Sequence, residues 1–211
     1  MKQQEKTQKT KERILSAAME EFGNKSYDTA SVNSICEAGE ISKGLLYHNF
    51  RNKDELYLQC VKICYDQLLA SLKSHSFKLH DAGESLQEFL LVRQKFFSEH
   101  PRCANIFFNA VIQPPKHLTQ ELAELRRELD EYFRQRYLEI LHSLTLRDGI
   151  STDMALEYFS VVWEMFNGYF QKKADQNGDY HALIEDHEGW MSEIFDIMLY
   201  GIAKEPGKKS S

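Results

Sequence analysis

Proline is almost missing from this chain, with four in 211 residues, and glycine reaches only ten. Runs that alternate polar and apolar residues are scarce as well. Sheets need that alternation, and their turns need glycine and proline, so the reading is an all-α chain. No apolar run is long enough to span a bilayer. The polar stretch Met1 to Lys11 lacks the features of a signal peptide, so a cytoplasmic protein with no membrane attachment is expected. Nucleophile elbow, glycine-rich phosphate loop and zinc-protease helix are all missing. The eight histidines are scattered. Paired carboxylates such as Glu20 and Glu21 fall on solvated helix faces. Neither catalysis nor a cofactor is expected. Cys36, Cys60, Cys64 and Cys103 lie on expected helices. Cys60 and Cys64 stand one turn apart, a spacing open to a metal or thiol pair, but reduced small hydrophobes in a core are the better account, and no metal site is expected.

Aromatic residues, at 12% of the chain, are too frequent for a disordered protein and enough for a sizeable core in one or two domains. The net charge of -6 is unevenly spread. Residues 1–55 carry nine basic and nine acidic side chains, and all of the excess negative charge lies beyond them. The first thirteen residues hold Lys2, Lys6, Lys9, Lys11 and Arg13 against Glu5 and Glu12. This arm, ahead of a first helix from Thr10 to Asn24, suits either phosphate contact or plain solvation. That helix carries Ile14, Leu15, Ala18, Met19 and Phe22 on one face.

Ser31 to Leu56 organises the rest. Ser31 is placed to cap a short helix bearing Val32, Ile35 and Cys36, which ends at Gly39. Ser42 is placed to cap a second, bearing Leu45, Leu46 and Phe50. Two helices this short, joined by a tight turn, make a helix-turn-helix. The second leaves Lys43, Gly44, Tyr47 and His48 on faces that packing does not need, and a helix of this size fits the major groove of DNA. Gly44 permits close backbone approach, with tight helix packing as its other reading. Asn52 caps the following helix. Lys53 stands in its first turn, where the helix dipole disfavours a cation and an external role is suggested.

The series Ser31, Ile35, Ile41, Ser42, Lys43, Gly44, Leu46, Tyr47, Phe50, Lys53 and Leu56 resembles the DNA-binding domain of the TetR family of bacterial transcriptional regulators. The likeness runs from Lys11 to Leu56, about a quarter of the chain. It implies a three-helix head, residues 1–55, reading double-stranded DNA through Ser31, Ser42, Lys43, Gly44, Leu45, Tyr47, His48 and Lys53, with Lys53 on a phosphate. It also implies a helical body, residues 56–203, that binds an effector and dimerises. Three positions depart from the pattern. Ser31 stands where threonine is common. Leu45 stands where a small polar residue often faces DNA. Glu40 stands where glycine or asparagine is usual, so either this glutamate is left-handed or the turn is built differently.

The body reads as further amphipathic helices, at Leu56–Leu72, Ser85–Glu99, Cys103–Val111, His117–Leu144, Met154–Lys173 and His181–Ala203. Met154–Lys173 is apolar over most of its circumference, so it needs partners on two sides. Together with Leu183, Trp190, Ile194, Ile197, Met198 and Gly201 of the last helix, it suits a four-helix interface between two copies and hence an inverted-repeat operator. Tyr65, Phe89, Phe96, Phe107, Phe108, Tyr137, Trp163, Phe166 and Phe170 exceed the needs of one narrow core. With Asn167 and Glu164 on a polar stripe, they are the candidates for binding a small, mainly apolar effector, each having simple packing as its alternative. Residues 204–211 read as a disordered tail. Two main functions remain, a ligand-released repressor or a DNA-bound scaffold whose body recruits another protein, with an all-α enzyme or small-molecule carrier bearing a vestigial head as a remoter third. The repressor calls for a closed aromatic cavity, and the scaffold for a filled body with an exposed patch.

Overall fold

The computed structural model describes residues 2–77, 81–176 and 180–202. Among them are nine α-helices and one 3-10 turn, and no strand, which bears out the all-α reading. The helices are α1 (Lys2–Asn24), α2 (Val32–Ala38), α3 (Lys43–Asn49), α4 (Lys53–Ser74), α5 (Ala82–Glu99), α6 (Pro101–Ile112), α7 (Thr119–Leu141), α8 (Thr152–Asp175) and α9 (Tyr180–Ile202), with the 3-10 turn at Lys116–Leu118. The expected tail 204–211 and the Asn177-Gly178 loop lie outside the described residues, as does the stretch 78–80 of the connection before α5.

Helix starts differ from expectation for local reasons. The N-terminal arm is helical from Lys2 onward. Its straight-chain residues have high helix propensity, and Gln8 donates to Glu12 one turn later at 3.0 Å. The Asp81 carboxylate accepts from the Glu84 backbone N–H at 3.0 Å, so α5 starts at Ala82. Pro101 occupies the first turn of α6, where its missing N–H costs nothing.

The chain forms two compact units, Met1–Leu68 with Phe96–Arg127 and Leu69–Lys95 with Glu128–Ser211. In the first, Ile14, Ala18 and Phe22 of α1 are buried with Ile35, Leu46, Phe50 and Leu56. Phe22 and Tyr27 both meet the Tyr57 ring edge-on, at 5.0 and 5.1 Å. Alpha-1 lies tight on α6. A Cβ on Gly23 would stand 2.9 Å from the Arg102 Cβ, and the Asn105 amide donates to the Gly23 carbonyl at 2.8 Å. In the second unit, Tyr137 stacks on Phe159 at 4.4 Å and Phe89 meets Phe133 at 5.4 Å. Arg93 is buried there, paired with Glu188.

Candidate nucleic-acid interface

The helix-turn-helix is built by backbone chemistry at three points. Both expected caps form: the Ser31 hydroxyl accepts from Asn33 N–H at 3.1 Å, and the Ser42 hydroxyl from Leu45 N–H at 3.2 Å. Between them, α2 ends in a Schellman turn. Ile41 N–H donates to the Cys36 carbonyl at 2.8 Å and Glu40 N–H to the Glu37 carbonyl at 3.1 Å. That motif needs a left-handed residue at position 40, and Glu40 takes φ 50°. Gly39 has an ordinary φ of −83°, so its small size matters for another reason. A Cβ there would fall 2.5 Å from Ile41 Cδ1 and 3.1 Å from Ala17 Cβ.

Arg13, counted at first among the charges of an N-terminal arm, is committed elsewhere. Its guanidinium donates to the Gly39 carbonyl at 2.9 Å and the Glu40 carbonyl at 3.0 Å, tying α1 to the turn. Sequence spacing gave no sign of this contact.

Helix α3 buries Leu46 completely and presents Ser42, Lys43, Gly44, Leu45, Tyr47 and His48 to the outside. Leu45 is 39% exposed and Tyr47 48% exposed, although both are large and apolar enough to be drawn inward. Nothing lies within 4 Å of a Cβ added at Gly44, so packing does not account for this glycine. Arg51, which sequence reasoning passed over, follows α3 directly with a side chain 91% exposed. Ser31 and Lys53 lie at the margin, both half-buried. The Lys53 ammonium sits 4.3 Å from the centre of the Tyr27 ring. Burial lowers its pKa, opposed by Asp28, Asp54 and Glu21. Tyr27 donates to Asp54, whose carboxyl is held below the usual range by that bond against its own burial, with His117 Nε2 at 3.2 Å adding to the effect.

Ten of the eleven candidate effector residues fall into three groups. Tyr65, Phe96, Phe107 and Phe108 belong to the first unit, where Tyr65 and Phe107 meet edge-on at 5.4 Å. Phe89, Tyr137 and Trp163 line a cavity in the second unit of about 20 Å³, room for roughly one water molecule. Phe166 and Phe170 pack on His187, whose Nε2 lies 3.4 Å from the Asn167 side-chain oxygen. Asn167 is buried but Glu164 is exposed, so the polar stripe expected on α8 divides between core and surface. The expected face of α9 divides too: Leu183 and Met198 are buried, while Trp190 and Ile197 are exposed. On α8, Met154, Tyr158, Val161, Met165 and Tyr169 form one exposed apolar stripe at helical spacing. Among the described residues, no group of His, Cys, Asp and Glu could hold a metal ion, and no helix is long and apolar enough to cross a membrane.

Two family models match the chain: that of bacterial regulatory proteins of the tetR family over residues 14–60, and that of a tetracyclin repressor-like C-terminal domain over residues 80–200. The chain is 31% identical over 191 residues to the Staphylococcus aureus biofilm operon icaADBC HTH-type negative transcriptional regulator IcaR, covering 89% of this chain and 96% of that one. It is 24% identical to the Escherichia coli HTH-type transcriptional regulator UidR, over 72% of this chain and 76% of that protein. A solved TetR family transcriptional regulator from Chloroflexus aurantiacus shares its fold, with a TM-score of 0.59 at 21% identity, covering 94% of this chain and 95% of that one.

Proposed function

The chain belongs to the tetR family of bacterial regulatory proteins and is a DNA-binding transcriptional regulator; from that premise we propose that it is a cytoplasmic repressor, dimeric on an inverted-repeat operator and released by a small, mainly apolar effector. Residues 1–55 act as the DNA-binding part, and residues 56–203 as the effector-binding and dimerising part. The observation that carries the reading is the outward face of α3. Leu45, Tyr47 and the open backbone at Gly44 are exposed beside Lys43 and His48 without a packing reason. In a major groove, Leu45 meets a thymine methyl group, Tyr47 and His48 reach base edges or phosphate, and Lys43, Arg51 and Lys53 hold the backbone. Ser31 and Ser42 serve through their caps, which orient the α2 and α3 backbones.

Negative regulation is the role of the staphylococcal relative, and the same role is proposed here. Dimerisation is supported by the exposed apolar stripe of α8 together with the exposed Trp190, Ile197 and Tyr200 of α9. Two heads held at a fixed separation read two half-sites of an operator. Effector release would work through α4, whose residues belong to both units. An effector acts only by binding the DNA-free form more tightly than the DNA-bound form, typically by about 1–3 kcal/mol. The small size of the cavity favours the rival, a scaffold that recruits a protein through the same apolar face.

Genome-wide mapping of bound DNA, repeated with Tyr47→Ala, separates the two. A repressor gives a few sites sharing one inverted repeat, lost in the variant. Many sites with no common repeat would overturn the repressor reading in favour of the scaffold.

A further inference from the structure

Arg136 and Tyr137, neighbours on α7, both line the cavity of the second unit. Their polar atoms are left over from the fold. Arg136 gives one terminal nitrogen, Nη1, to Glu139 and lays its guanidinium 4.5 Å from the Phe77 ring centre. Its Nε and Nη2 are buried and have no hydrogen-bond partner. The Tyr137 hydroxyl is buried and unpartnered as well, in a side chain only 2% exposed. Buried donors without partners are costly to the fold, and two neighbouring residues that share a cavity in this condition mark a site built for an acceptor.

The chemistry of that acceptor follows. Nε and Nη2 form the edge of guanidinium that meets the two oxygens of a carboxylate side by side. Burial pushes the Tyr137 pKa upward, so the phenol stays protonated as a donor. The remaining walls are apolar apart from Arg93, which already faces Glu188 as Arg136 faces Glu139. A dianion would lose too much hydration to enter, whereas one negative charge is met by the open edge of Arg136. The rings of Tyr137, Trp163 and Phe195 lie within 20° of the plane of Phe159. Against such a stack of near-parallel rings a flat body fits best.

We propose that this cavity takes a monocarboxylate with a flat apolar body, its carboxylate held by the Nε and Nη2 edge of Arg136 and by the Tyr137 hydroxyl. The proposal deepens the effector reading above and rests on it for its regulatory meaning. The cavity holds about one water, so a ring enters only as Leu86 and the unbranched, flexible Met191 move aside.

The test is calorimetric titration of the full chain with benzoate and with its neutral isostere benzamide, each repeated in Arg136→Gln and Tyr137→Phe. Benzoate should bind about tenfold or more tighter than benzamide. Arg136→Gln should abolish that preference, and Tyr137→Phe, which removes one oxygen from a well-packed ring, should reduce it in a chain that folds normally. Equal binding of the two probes, or a preference that survives both substitutions, would overturn the assignment. So would the absence of binding at millimolar concentration, which would leave the cavity to a water molecule. Operator affinity measured alongside keeps the two readings apart. Benzoate bound through Arg136 without effect on operator binding sinks the effector reading alone. Both probes binding alike and releasing DNA sinks the carboxylate alone.

Discussion

The guanidinium of Arg13 donates to the backbone carbonyl of Glu40 at 3.0 Å, across 27 residues of chain. It thereby holds in place a glutamate with φ 50°, a conformation that costs a residue with a Cβ about 1 kcal/mol or more. Glu40→Gly should therefore stabilise the chain by about 1 kcal/mol in urea unfolding, without loss of DNA affinity. Arg13→Ala should cost about 1 kcal/mol and weaken DNA binding, because the angle between α2 and α3 depends on this turn.

Gly44 separates stability from function. A methyl group there meets open space, and alanine is the better helix former. Gly44→Ala should raise stability by about 0.5–1 kcal/mol. If the α3 backbone approaches DNA closely, the same change should lower affinity about tenfold, read by fluorescence anisotropy on a mapped site. Higher stability with unchanged affinity would remove Gly44 from the interface.

Ile197 is 66% exposed on α9, the helix that packs against α8. Ile197→Asp should convert a dimer into monomers at micromolar concentration, seen by light scattering, with the helical circular dichroism retained. Specific DNA affinity should fall with it, because one head alone reads one half-site. A monomeric parent chain would refute the dimer directly.

His187 and Glu188 set an acid limit. Burial pushes the His187 imidazole below its usual 6.5, with Arg93 adding to the effect and Glu188 opposing it. Above pH 6.5 the folded and unfolded chains are both neutral at this position. As the pH falls below that value the unfolded chain takes the proton first, so stability drops. Burial would raise the Glu188 carboxyl, but Arg93 and the bond to His187 bring it from 4.5 down to about 2. Its contribution is complete above pH 4.5 and is lost as the pH falls toward 2. The unfolding midpoint should be level above pH 6.5, decline below it, and decline more steeply below 4.5. His187→Gln should remove the upper step and leave the lower one.

Arg93 and Glu188 form the costliest pair to break. Arg93 is 1% exposed, and removing the Glu188 carboxylate takes away the counter-charge of a buried ion pair. Glu188→Ala should cost about 3–5 kcal/mol in urea unfolding.

Local chemistry was the legible part of this fold. Ser31 and Ser42 cap as their hydroxyls and position suggest, and Glu40 takes the left-handed one of the two alternatives the sequence left open. What escaped was long-range pairing. Arg13 finds carbonyls 26 and 27 residues away, and Arg93 finds Glu188 95 residues away, distances at which periodicity carries no information. Arg93 did leave a trace: it continues the buried face of Leu86, Phe89 and Leu90 at helical spacing, while Leu91 points outward. A cation on an apolar face calls for a buried counter-charge. The aromatic residues could not be sorted by spacing at all, because whether a ring lines a cavity or fills a core depends on helices far away in sequence.

The positions of Trp163 and Trp190 have an experimental use. They are the only tryptophans in the chain. Trp163 lines the cavity, and Trp190 is 51% exposed on α9, one of the two helices proposed to pair with a second copy. Their emission should differ in wavelength, bluer for the half-buried Trp163 and redder for the exposed Trp190. Occupation of the cavity should quench the blue component, and self-association should shift the red one. One unlabelled sample could then report both events as separate optical signals, with Trp163→Phe and Trp190→Phe identifying which band is which.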